Sequence, residues 1–176
     1  MLNGYKPNIK VGDSFALIPE AMYTLQIVDV NPDVSTYMGV DKDVLNYKFI
    51  ILDEGKDSEG GEIRGRYMWK RCSLSMADKA WLNILASAVY GHTLSDKEKA
   101  SFDVESIVGK QVQAFVEQRT KKDGSGVYNN ILKFSHATKQ LDPVEYSAKP
   151  SVVEKSSTPI NVEDEVADIE KEAKKK

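Results

Sequence analysis

The chain has 176 residues, 41% of them hydrophobic, which suits one domain with one core plus an extension. Its single cysteine, Cys72, excludes an internal disulfide and a cysteine-rich zinc module, and His92 and His136 stand far apart, so no metal or cofactor is expected. Residues 1–141 hold 18 Lys and Arg against 18 Asp and Glu, and residues 142–176 hold 6 against 9, so the net charge of −3 lies in the tail and any anion-binding surface must come from how the body's charges are distributed.

Residues 1–18 form a loose N-terminal stretch. From Met22 to Val30, Tyr23, Leu25 and Ile27 alternate with Thr24 and Gln26, which predicts strand 1. Asn31-Pro32-Asp33 is read as its end, followed by a loop with Tyr37 and Gly39. Strand 2 runs from Val44 to Leu52 with Leu45, Tyr47, Phe49 and Ile51 on one face. Asp53 to Gly61 is a glycine-containing turn, and Glu62 to Ser73 is strand 3. The period then changes. Ser75 or Asp78 caps a helix over Lys79 to Tyr90, with Trp81, Leu82, Leu85, Ala88 and Val89 as its apolar stripe and Gly91 as its end. Ser95 to Glu105 is polar, with room for one helical turn. Strand 4 covers Gln111 to Arg119, Thr120 to Gly126 is a basic loop, and strand 5 covers Val127 to Ser135.

From Asp142 onward Pro143, Pro150 and Pro159, with Lys155-Ser156-Ser157-Thr158, leave no sustained apolar face. This composition predicts a disordered tail. Within residues 160–170, Val162, Val166 and Ile169 fall at helical spacing, enough to present one face to a partner. Three strands, a helix and two strands is the order of the OB-fold, a five-stranded Greek-key barrel. That fold binds oligonucleotides or oligosaccharides on its strand 2–3 face and between loops 1–2 and 4–5. An open β-sandwich with an inserted helix has the same strand count.

No phosphate-binding glycine loop and no His-Glu-x-x-His pattern occurs, so no enzyme is expected. Asp41, Asp43, Asp53, Glu54, Asp57 and Glu59 read as solvated loop carboxylates, Cys72 as a core thiol, and His92 as a cation at a helix C-terminus.

Strand 3 carries the chemistry. Alternation from Glu62 puts Ile63, Gly65, Tyr67 and Trp69 on one face and Arg64, Arg66, Met68 and Lys70 on the other, with Arg71 nearby. If the apolar faces share the core, Lys48 of strand 2 joins Arg64, Arg66 and Lys70 in a positive outer stripe. Single-strand binders add aromatic rings on which bases stack. The candidates are Tyr37, Tyr67, Trp69, Phe115 and Tyr128, with Tyr67 and Trp69 placed on the core side and Tyr37 in solvent. Arg119, Lys121 and Lys122 supply further cations around loop 4–5.

Tyr23-Thr24-Leu25-Gln26-Ile27-Val28-Asp29-Val30, Leu45-Asn46-Tyr47-Lys48-Phe49, Leu82 and Leu85 before Tyr90-Gly91, Val108-Gly109-Lys110-Gln111-Val112, and Tyr128-Asn129-Asn130-Ile131 with Phe134 form a pattern. It resembles phage-encoded single-stranded-DNA-binding proteins of OB-fold type, over about Pro19 to Ala137. The resemblance implies sequence-nonspecific binding of single-stranded DNA in phage replication, recombination or repair, in the host cytoplasm, with partner enzymes recruited by the tail. Met22 stands where such proteins often have Gly. The chain closes on Lys174-Lys175-Lys176 instead of an acidic, apolar end. Self-association stays open. The alternative is a carbohydrate-binding or virion structural module. The lack of a membrane-length apolar run and of a basic-then-apolar start predicts a cytoplasmic protein without a membrane partner.

Overall fold

The computed structural model describes residues 16–146. The expectations for residues 1–15 and 147–176, including the partner-facing patch at 160–170, lie outside the described residues. Five strands form one antiparallel sheet: β1 (Ala21–Tyr37), β2 (Val40–Ile51), β3 (Tyr67–Ser73), β4 (Gln111–Thr120) and β5 (Val127–His136). Their order is β3-β2-β1-β4-β5. Helix α1 (Trp81–Tyr90) and the short α2 (Asp96–Ala100) lie between β3 and β4 in the chain. Among the described residues no helix is long and apolar enough to cross a membrane.

The core follows the alternation of β1, β2 and β4. Leu25 and Ile27, Leu45, Tyr47, Phe49 and Ile51, and Val112, Ala114 and Val116 are all buried on one side of the sheet. Leu82, Leu85 and Ala88 of α1 join them, with Trp81 and Val89 half-buried. Gly91 ends α1 at φ 75°, a left-handed cap that favours glycine. The N-terminal cap differs from expectation. It is Ala80, without a side-chain bond. Asp78 is instead drawn off by Lys99 Nζ at 2.8 Å, and Ser75 Oγ accepts from Ala77 N. Cys72 is buried, which pushes its thiol up to about 12, in keeping with a structural role.

β1 does not stop at Asn31-Pro32-Asp33; it runs on to Tyr37. Proline lacks the N–H that a central strand needs, but β4 pairs with β1 only from Ala21 to Gln26. At Pro32 just one side of β1 is paired, to Leu45, so the missing donor costs no ladder bond. The expected loop 1–2 is a two-residue turn: Met38 and Gly39 take φ 51° and 75° between the paired Tyr37 and Val40. Positive φ at both central residues matches the twist of a tight hairpin. Asp41 and Asp43 therefore lie in a strand, exposed, and not in a loop. Asp57 is also no free carboxylate. It accepts from Glu59 N and Gly61 N and pairs with Arg66 at 2.9 Å. Those backbone donors, helped by Arg66, hold its pKa below the usual range.

Strand 3 is shorter than predicted, and its faces are reversed. Gly65 has φ 83°, and Arg66 N donates to Ile63 O at 3.0 Å, so residues 63–66 make a turn that restarts the alternation. Met68 and Cys72 then point into the core, while Tyr67 and Trp69 are 44% and 56% exposed.

Both chain ends of the domain are tied in. Ile18, assigned to the loose stretch, is buried. Asn129 brackets its backbone, Oδ1 accepting from Ile18 N and Nδ2 donating to Ile18 O, each at 2.8 Å. Residues 142–146, assigned to the tail, pack on the sheet face opposite the main core. There Leu141, Val144 and Tyr146 cover Val28, Ile50 and Leu52.

α2 opens with a reciprocal capping box between Ser95 and Glu98. Glu98 also lies 3.0 Å from His92 Nε2. The bond to Glu98, then the Tyr90 carbonyl, raises the His92 pKa, while the Ser95 bonds bring Glu98 down to about 2. The raised His92 value favours the folded state below the unfolded value of about 6.5, and that contribution fades as pH rises through the folded pKa. An NMR titration should place the His92 midpoint above about 6.5, and Glu98→Gln should lower it; coincident midpoints in the two proteins would show that the pair does not form in solution.

Candidate functional site

Strand register defines one continuous outer face. Tyr37 pairs with Val40, Ser35 with Lys42, Asp33 with Val44, and Asn31 with Asn46. Asn46 in turn pairs with Arg71, Lys48 with Trp69, and Ile50 with Tyr67. These residues share the face opposite Leu45, Tyr47 and Phe49, because side chains alternate along each strand. Tyr37, 71% exposed, stands at the hairpin end. Lys42, Arg71, Lys48, Trp69 and Tyr67 follow along the same face.

Lys48 is the centre of the cluster. Its Nζ sits 4.0 Å from the centroid of Tyr67, 4.8 Å from that of Tyr146 and 5.9 Å from that of Trp69. It donates to Tyr146 Oη at 3.3 Å. The Tyr67 and Trp69 rings are 6.2 Å apart and tilted by 49°. Among the described residues neither Lys48 nor Lys42 makes an ion pair. Arg71 pairs with Asp33 at 2.9 Å, but both are exposed, and a solvated pair of this kind is worth at most about 1 kcal/mol. A ligand phosphate can exchange for it.

The other strand 3 cations do not form the expected stripe. Arg64 donates to Leu52 O and, at 2.9 Å, to Asp142 O. Arg66 joins Asp57 to Ala16 O, the latter at 2.7 Å. Lys70 faces inward. Its Nζ donates to Ile131 O of β5 at 2.7 Å and lies 3.5 Å from the Trp81 centroid. Burial lowers its pKa. All three are occupied in holding segments together, as the turn at Gly65 requires: it points two of them at neighbouring backbone and the third into the interior.

The remaining candidates are dispersed. Phe115 is half-buried on the outer face of β4, paired with Met22 and Lys133. Tyr128 is exposed opposite Arg119, whose Nε lies 2.7 Å from Glu117. Lys121 and Lys122 are exposed in the β4–β5 turn. The structure thus brings Tyr37, Lys48 and Trp69 onto one face and leaves Phe115, Arg119, Lys121, Lys122 and Tyr128 on the β4–β5 side. Tyr67, Arg71 and Lys42 belong with the first group. The phase of Met68 and Cys72, two residue types that favour burial, was the available signal for Tyr67. Nothing in the local pattern pointed to Tyr146, which arrives from 98 residues beyond Lys48.

Away from this face, α1 and the end of β5 border an open groove of about 630 Å³ lined by Asn83, His92, Phe134 and His136. His136 Nδ1 lies 3.0 Å from Ala88 O, a contact between β5 and α1, and no group of three or more metal-ligating side chains occurs among the described residues. Against known proteins, no family model matches the chain and no curated protein matches it.

Proposed function

We propose that the chain binds single-stranded DNA without sequence choice, on the outer face of β1, β2 and β3 of an OB-like Greek-key barrel left open between β3 and β5. The observation that carries this reading is the exposed Tyr67–Trp69 pair flanking Lys48. Every base has a π-face, so two solvent-facing rings beside a cation hold bases and backbone together without reading an edge. The strand order, with α1 between β3 and β4, supports the OB assignment, since that fold is a partly open five-stranded barrel that binds on its strand 2–3 face. The resemblance to phage single-stranded-DNA-binding proteins adds replication, recombination or repair as the setting. No catalytic step is part of this function.

A second reading, carbohydrate binding, is favoured by one observation: Arg64, Arg66 and Lys70 are committed within the fold, while Trp69 and Tyr67 share the outer face with Asn46. Salt separates the two. Lys42, Lys48 and Arg71 neutralise about three phosphates, so log K for oligo-dT should fall with log[salt] at a slope of about −2. Lys48→Ala should flatten that slope by about 0.7, whereas Arg64→Ala and Arg66→Ala should leave it alone. Gel shifts with oligo-dT, duplex and RNA of equal length, set beside an oligosaccharide panel, check the class. Salt-independent binding, or retention of glycan and not of oligo-dT, would reject the DNA reading.

A further inference from the structure

The chain leaves β5 and returns across the outer face as a strap, residues 141–146. Its first part is anchored by side chains from three separate places. Gln111 Nε2 donates to Leu141 O at 2.7 Å while its Oε1 accepts from Leu141 N at 2.9 Å. Arg64 donates to Asp142 O, and Val144 N donates to Gln26 Oε1 at 3.2 Å. Leu141 and Val144 pack over Val28, Ile50 and Leu52. Up to Val144 the strap is therefore a built part of the fold.

Tyr146 differs. It is held by the candidate site itself, through the Lys48–Oη bond and an edge-on contact with Tyr67 at 6.1 Å and 79°. It takes up the groups that a base and a phosphate would use: the open ring of Tyr67 and the ammonium of Lys48. It leaves Trp69 in solvent.

We infer that Tyr146 is a built-in cap, occupying half of the stacking site and giving way when a ligand binds there. This rests on the assignment of Lys48 and Tyr67 as ligand-binding groups made above. The anchored residues 141–144 hold the ring close at high effective concentration, so even a weak contact competes measurably. A cap of one half-buried cation–π contact and one half-buried hydrogen bond reduces apparent affinity by the fraction of molecules with the site open. The Tyr146 side chain, ring and hydroxyl together, carries the effect, because among the described residues neither Val144 nor Glu145 bonds to Lys48.

Two measurements on the full chain test it. In the first, binding of fluorescent oligo-dT is compared for the wild type, Tyr146→Ala and Tyr146→Phe. Tyr146→Ala should bind roughly 5- to 30-fold tighter, and Tyr146→Phe, which keeps the ring and loses Oη, should fall between. Equal or weaker binding by Tyr146→Ala would overturn the cap; a loss would make Tyr146 a third stacking wall. The second needs no DNA. Amine labelling of Lys48, read by mass spectrometry, should rise severalfold in Tyr146→Ala, with labelling of Lys121 and Lys122 as an internal reference. Unchanged Lys48 labelling overturns the cap. Raised labelling in a protein that ignores oligo-dT upholds the cap and rejects the DNA reading, so the two failures are distinct.

Discussion

Trp69→Ala should weaken oligo-dT binding by about 1–3 kcal/mol, or roughly 5- to 150-fold, while stability stays within about 0.5 kcal/mol. The ring is 56% exposed and projects from β3 on the side away from the core, with the Tyr67 ring and Lys48 Nζ about 6 Å from it. Removing it opens no interior cavity, so the usual cost of deleting a large buried side chain does not arise. A stacked base would take its place against the ring face, which makes the loss one of binding. Tyr67→Ala should act in the same direction, and the double change should be less than additive, because the two rings adjoin and would share a ligand. Tyr37→Ala, at the hairpin end, should also weaken binding without unfolding the chain, since that ring is 71% exposed. Denaturant titrations run beside the binding curves separate the two quantities. A Trp69→Ala protein that binds normally but melts early would return Trp69 to the core and refute the assignment of the face.

That assignment inverts what alternation from Glu62 predicts, and the reason is local. A period-two pattern carries its phase only as far as the strand is continuous. Gly65 at φ 83° breaks the strand, so Ile63 reaches the core from a turn and Met68 reaches it from β3. Alternation counts Tyr67 and Trp69 with Ile63 as one apolar face, whereas Cys72 in phase with Met68 points the other way. Where no such break intervenes, alternation was sufficient: Leu45, Tyr47, Phe49 and Ile51 of β2 and Val112, Ala114 and Val116 of β4 are buried as their spacing predicts. The β1–β2 connection, predicted as a loop with Tyr37 and Gly39, is tighter than its sequence suggests for a different reason. Met38 carries no turn signature, and its positive φ follows from pairing Tyr37 with Val40 rather than from its own preference. Arg64 and Arg66 illustrate a limit of charge counting: besides Leu52 and Asp57, they bond to Asp142 and Ala16, 78 and 50 residues away and beyond any local pattern. The strap was invisible for the same reason. Leu141 and Val144 have no periodic neighbours, and they find cover only because Val28, Ile50 and Leu52 make an apolar patch on the face opposite the main core.

Phe134→Ala should cost about 3–5 kcal/mol of stability, the largest effect expected of any single change considered for this protein. β3 and β5 are the two edges of the sheet, and no strand pairing joins them among the described residues. An open edge exposes unpaired backbone and invites association, so the space between such edges has to be filled by something other than a ladder. Here side chains fill it. Phe134, 5% exposed, lies 5.6 Å from the Phe49 ring of β2 and 5.9 Å, edge-on at 84°, from Trp81 of α1. Lys70 of β3 completes the series, its ammonium over Trp81 and bonded to the Ile131 carbonyl of β5. Deleting Phe134 removes the ring that links β2 to α1 and leaves a void whose walls belong to three different elements, which limits how far they can relax to close it. Lys70→Met should cost less, about 1–3 kcal/mol. It leaves the Ile131 carbonyl without this donor, but it also relieves the desolvation of a half-buried ammonium, and the two contributions oppose each other. Urea unfolding measures both: the midpoint should drop more for Phe134→Ala than for Lys70→Met, with the slope unchanged in each if the native fold persists. The reverse ranking would mean that the lysine bridge, and not the aromatic plug, holds β3 and β5 together. A fall in slope for Lys70→Met alone would mean that losing the bridge lets the two edges part before the rest of the sheet unfolds.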